Sequence, residues 1–140
     1  MAVEFTISAD NTEAVLHELS TKLEAILEAW GIQGVGAVQD IITSESRIDT
    51  GAMRNGFSHQ VDLNDQSVLI GTNVEYAIYH EYGTGIYLDG GGGRQTPWSY
   101  QDSKGEWHRT RGIKPIHMLK NGISGSVDDF KSIANDILKS

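Results

Sequence analysis

Apolar residues recur at helical spacing over two long stretches of this chain and alternate with polar ones over several short stretches between them. Leu19, Leu23, Ile26 and Trp30 fall on one stripe, which continues through Gly34, Ala37 and Ile41. The phase survives the glycine-rich Gly31–Gly36 stretch. That favours one helix from Asn11 to about Ser44, ~50 Å long at the usual rise per residue. Interior glycines at positions 31, 34 and 36 cost ~3 kcal/mol together against alanine, so a local break is the alternative. On the continuous reading Gly34 lets another backbone come close. A helix longer than a small domain is wide protrudes or packs on a neighbouring copy. Before it, Val3, Phe5 and Ile7 alternate with Glu4, Thr6 and Ser8 as a short strand from Ala2 to Ala9, and Asp10 with Glu13 supplies a helix N-cap pair.

After the helix, Arg47–Arg54 turns the chain. Phe57, His59, Val61 and Leu63 alternate with Ser58, Gln60 and Asp62 as a half-buried strand. Asn64–Ser67 turns back into Val68, Leu69 and Ile70, an apolar run expected of a strand covered on both faces and broken by Gly71, which completes a hairpin. Thr72 and Glu75 have the spacing of a capping box. The helix they would start is two turns long, because Gly83 and Gly85 supply a left-handed stop. Tyr76, Tyr79 and Tyr82 crowd that helix, so something large is expected to pack there.

Four consecutive glycines, Gly90–Gly93, make Ile86–Thr96 a flexible loop. Trp98–Gln101 and Glu106–Arg109 flank a turn at Asp102–Gly105. Pairing Gln101 with Glu106 sets Tyr100 opposite Trp107 and Trp98 opposite Arg109, all on one face, with Ser99 and His108 on the other. Cross-strand aromatic pairs add ~0.5–1.5 kcal/mol beyond burial, and Arg109 over Trp98 adds a cation–π contact. Loop and hairpin, about residues 86–112, form an arm on a single domain spanning 1–140. Pro115 suits a first helical turn, with Lys114 extended before it. Ile116, Leu119, Ile123, Val127, Phe130, Ala134 and Ile137 then hold a helical stripe to the end. Gly122 and Gly125 weaken its middle and Ser126 with Asp129 offers a restart cap, so one helix or two are both open.

Composition narrows the function. The chain has no cysteine, which excludes disulfides and thiolate metal sites. Its N-terminus lacks the basic and apolar regions of a signal peptide, and no apolar run approaches the ~18–20 residues that cross a bilayer. The expectation is a cytoplasm-like compartment or release by lysis. Net charge is −8, against non-specific binding of polyanions by the whole surface. The charge is uneven: Arg94–Lys120 holds six basic and two acidic side chains, net +4, and leaves −12 on the remainder. Such polarity suits contacts between copies or with a complementary partner.

Catalytic signals are weak. His80-Glu81 lacks the second histidine of a zinc-hydrolase helix, His108 and His117 have no carboxylate at ligand spacing, and Arg94–Pro97 does not give the glycine run a P-loop ending. Ser44, Ser46 and Asp49 near His59 have no triad spacing. No catalytic residue, metal or cofactor is expected. Trp98, Tyr100, Trp107, Arg109 and Arg111 are the residue types that anchor protein interfaces. The alternative is that the same five residues stack and charge-pair with single-stranded nucleic acid.

Three patches carry a resemblance. Arg47-Ile48-Asp49-Thr50-Gly51-Ala52-Met53-Arg54 is similar to an Asp-Thr-Gly-x-Leu-Arg motif. Ile70-Gly71-Thr72-Asn73-Val74-Glu75-Tyr76-Ala77, with Glu81-Tyr82-Gly83-Thr84-Gly85, is the most specific. Trp107–Pro115 with Met118-Leu119 is similar to a Lys-Pro-x-x-Phe-Leu ending. In this order they resemble the head–tail joining, or tail-completion, proteins of long-tailed bacteriophages. Departures are Ile78 where proline is common, Asn55-Gly56 at the strand entrance, and Met53 and Met118 for Leu and Phe. The resemblance implies an α+β subunit with a long helix across a small antiparallel sheet, to which the residue pattern adds a short central helix, a C-terminal helix and an extended arm. It implies a non-enzymatic virion protein at the head–tail junction, assembled in the host cytoplasm. Its partners would be copies of itself in a ring within the virion, the isolated chain being expected as a monomer, together with the adaptor below the portal and the tail terminator or tail tube. DNA would pass through the ring without sequence-specific binding.

Overall fold

A computed structural model describes residues 1–6, 13–47 and 51–140 of the chain. The fold is α+β. Strand β1 (Ala2–Thr6) precedes a long helix α1 (Glu13–Ser44) and a single turn α2 (Ala52–Asn55). Strands β2 (Phe57–Asp62) and β3 (Ser67–Thr72) form a hairpin, followed by the short helix α3 (Ala77–Tyr82) and a 3-10 turn over Gly85–Tyr87. The arm is a second hairpin, β4 (Trp98–Gln101) and β5 (Trp107–Thr110), and two helices, α4 (Met118–Ser124) and α5 (Val127–Lys139), end the chain. The first three strands make an antiparallel sheet in the order β1-β3-β2. The far end of the first expected strand and the Asp10 cap lie outside the described residues, as do Ile48, Asp49 and Thr50 of the first patch.

Helix α1 is continuous through its glycines. Two of them meet close packing on the sheet side: a Cβ on Gly31 would overlap the His59 ring of β2, and one on Gly34 the Ile70 side chain of β3. Gly34 therefore admits a side chain and not, as expected, a backbone. The backbone approach is at Gly122 of α4, where a Cβ would lie 2.9 Å from Val38 Cγ2 and 3.1 Å from the Val38 nitrogen. The buried positions of α1 are Ile26, Leu27, Gly31, Gly34, Val38 and Ile42, so the expected stripe is buried at Ile26 and Gly34 and half-buried at Leu23, Trp30, Ala37 and Ile41, with a second buried line beside it. The cause is that α1 packs on both the sheet and the C-terminal helices, so it needs a wider apolar face than one stripe supplies. On the second side the Trp30 indole donates to the Phe130 carbonyl at 2.8 Å, with ring centroids 5.2 Å apart.

Other local readings change for identifiable reasons. Strand β3 is central but covered on one side: Val68 and Ile70 are fully buried while Leu69 is 38% exposed. Gly71 stays in the strand, where a Cβ would strike the Met1 carbonyl and Ala2 of β1. Thr72 does not cap a helix; its hydroxyl accepts from Val74 N, two residues on, and α3 begins only at Ala77. This local turn satisfies the side chain before the helix starts. The C-terminal stripe splits at Gly125 into α4 and α5. Pro115 stays outside both, because His117 at φ 49° separates it from α4. Ser126 turns back to bond the Gly122 carbonyl at 2.7 Å rather than capping forward. Gly93 packs against the Gly85 carbonyl, so the glycine run is anchored at its last residue while Gly90–Gly92 have open space around them.

Candidate assembly surface

The arm is set by its turn. Asp102 N donates to the Glu106 carbonyl at 2.8 Å, and the Asp102 carboxylate accepts from Lys104 N, Glu106 N and, at 2.7 Å, His108 Nε2. The His108 hydrogen bond, with those backbone donors, holds the Asp102 carboxyl below its ordinary range. Gly105 at φ 85° closes the loop. Because Asp102 and Glu106 both belong to the loop, it is longer than the expected turn and the register moves by one. Gln101 faces Trp107, Tyr100 faces His108, Ser99 faces Arg109 and Trp98 faces Thr110.

That shift redistributes the five candidate residues. Trp98 and Tyr100 share one face, and Trp107 and Arg109 share the opposite one. Tyr100 stacks on His108, centroids 5.4 Å apart, instead of on Trp107. The cation over Trp98 is Arg94, 5.4 Å from the ring centre, and not Arg109. Trp107 is 69% exposed. Arg111 follows the strand with its side chain exposed and its carbonyl accepting from Ile86 N at 3.1 Å. On the inner face, Trp98, Tyr100 and Thr110 join Tyr79, Thr84 and Ile113 around a largely apolar cleft of about 340 Å³. Tyr76, Tyr79 and Tyr82 are each about half exposed, so nothing large among the described residues covers them, contrary to expectation.

Beneath the arm lies a polar junction that the sequence reading did not assign. Arg47, past the end of α1, donates to His80 Nδ1 at 3.1 Å and to the Lys114 carbonyl at 2.9 Å. Burial, with the Arg47 charge, pushes His80 below its ordinary value of 6.5. Glu81 is buried and accepts from Leu119 N at 2.9 Å and Lys120 N at 3.0 Å, capping α4 from a distant helix. The one available signal was Glu81's place opposite the tyrosine face of α3; its partners are too far along the chain to be read from spacing. His59, His108 and His117 pair with Glu28, Asp102 and Asp89, so two histidines read as lacking carboxylates have them through folding. Asp102, Glu106 and His108 bring three potential metal ligands together on the exposed turn, but both Asp102 oxygens already accept hydrogen bonds. Ser44 bonds the Ile41 carbonyl and His59 bonds Glu28, which leaves neither set for a triad.

Fold and surface together give an α+β chain with a hydrogen-bonded junction and an arm bearing exposed aromatic residues. No family model, curated protein or solved structure matches the chain.

Proposed function

We propose that this chain is a structural subunit of the head–tail junction of a long-tailed bacteriophage, acting in a ring between the head adaptor and the tail. The observation that carries the reading is the convergence of the three resembling patches. Arg47 of the first bonds His80, between the two halves of the second, and Lys114 of the third. Glu81 of the second caps Leu119 of the third. Residues that resemble one family in separated stretches thus meet in one hydrogen-bonded junction beneath the arm. Strands β4 and β5 contact chiefly each other, which leaves Trp107 and Arg109 free to engage a neighbour. The nucleic-acid alternative is disfavoured by the register, which splits the aromatic residues between two faces and denies them a common stacking platform.

Crosslinking of purified virus particles tests the reading. The chain is expected in covalent links to itself and to head-side or tail-side proteins of the junction. Particles that join heads to tails while containing none of this chain would refute it.

A further inference from the structure

We propose that successive copies of the chain are joined by the outer face of α1 on one copy, centred on Ile32, inserting into the aromatic cleft between α3 and the arm of the next. The biological setting of this contact rests on the junction reading above.

The cleft is concave, apolar and bordered by positive charge. Tyr79 and Tyr100 on its walls are 52% and 45% exposed. The Arg94 guanidinium covers Trp98 at its edge, within the segment that carries net +4. The convex counterpart is on α1. Ile32 is 66% exposed, the most exposed aliphatic side chain among the described residues. Glu28 and Gly36 lie one turn to either side of it, and Glu24 and Asp40 one turn further. Helix α1 carries five acidic and one basic side chain. Gly36 is the telling residue. Gly31 and Gly34 make room for His59 and Ile70, whereas a Cβ on Gly36 meets nothing within 4 Å. An interior helical glycine is disfavoured against alanine, and no packing among the described residues accounts for this one. It leaves bare helix beside Ile32, where an aromatic ring from another copy has room to lie.

Charge selects the occupant. A twofold pairing of either surface with itself would bring like charges together, while α1 against the cleft brings acidic residues to basic ones. If the two surfaces do not engage reciprocally across a twofold axis, their contact is head-to-tail and each copy retains a free surface for the next; a reciprocal pair would stop at the dimer.

The chain has no cysteine, so an engineered pair reports only the contact it tests. A chain carrying both Ile32→Cys and Tyr79→Cys, oxidised mildly at high concentration, is expected to give a ladder of linked dimers, trimers and larger species. Ile32→Cys with Ser132→Cys, on the exposed side of α5, provides the collisional rate, which the test pair should exceed about tenfold. Adding Gly36→Val to the test pair should return the rate to that background without unfolding the chain. A test pair that links no faster than the control overturns the contact. So does particle crosslinking in which Tyr79→Cys is captured by a different virion protein, an outcome that leaves the junction reading standing. A ladder from pure protein, with the chain absent from particles, would uphold the contact and overturn the junction reading.

Discussion

Glu81 shows how one side chain can hold two distant parts of a small protein together. Its carboxylate accepts from two backbone donors at the first turn of α4 while almost none of its surface is exposed. Glu81→Ala leaves those donors without their acceptors and should destabilise the fold by roughly 2–4 kcal/mol, with Glu81→Gln losing about half as much. Urea denaturation measures both, and a loss for alanine under about 0.5 kcal/mol would show that the cap contributes little. The glycines give an opposed pair. Gly36→Ala should stabilise the isolated chain by about 1 kcal/mol through helix propensity alone. Gly122→Ala should destabilise it, because the Val38 backbone cannot yield as a side-chain tip can. Melting temperatures moving in the same direction would contradict this. His80 supplies a pH dependence. Burial and Arg47 lower its folded pKa below the ordinary 6.5, so between those values the unfolded chain binds the extra proton. The His80 contribution is complete above pH 6.5 and is lost as pH falls toward the lower folded value. His80→Gln should remove that part of the pH slope of stability, and an unchanged slope would place the titration elsewhere. The helix cost of Gly36 was legible in the sequence, whereas the roles of Glu81, Gly122 and His80 were not, since each depends on partners dozens of residues away.

At the level of elements, legibility followed the range of the interactions involved. The long helix was readable because its apolar phase crosses the glycines unbroken, and two of those glycines prove to accommodate packing on the sheet. The β2–β3 hairpin was readable from alternation. The arm's existence was readable, but its register was not: Asp102 binds its own loop backbone and lengthens the turn, which rotates Trp107 and Arg109 away from Trp98 and Tyr100. The Thr72–Glu75 spacing misled for a similar reason, because the Thr72 hydroxyl is satisfied locally before the helix begins. The corrected arm still gives a clear expectation for Trp107→Ala. With 69% of the residue exposed, the isolated chain should keep its stability within about 0.5 kcal/mol while losing the ability to attach tails to heads. A large fall in melting temperature, with attachment intact, would make Trp107 part of the core.

For the molecule as a whole, the separation of charge visible in the sequence acquires a shape. The basic segment forms the arm and its approach to α4, and α1, with its acidic excess, lies across the sheet. Such polarity favours ordered, head-to-tail association over aggregation. The Arg47–His80–Lys114 junction ties the arm's return segment to the end of the long helix. The central claim is that this subunit completes the joint between head and tail. It is tested most directly by adding the purified chain to a lysate of a phage whose copy of this gene is disrupted, then counting joined particles by electron microscopy and infectious units by plating. The account predicts separate filled heads and finished tails before addition, and joined, infectious particles after it. Whole particles before addition, or separate heads and tails that stay apart after it, would contradict the account.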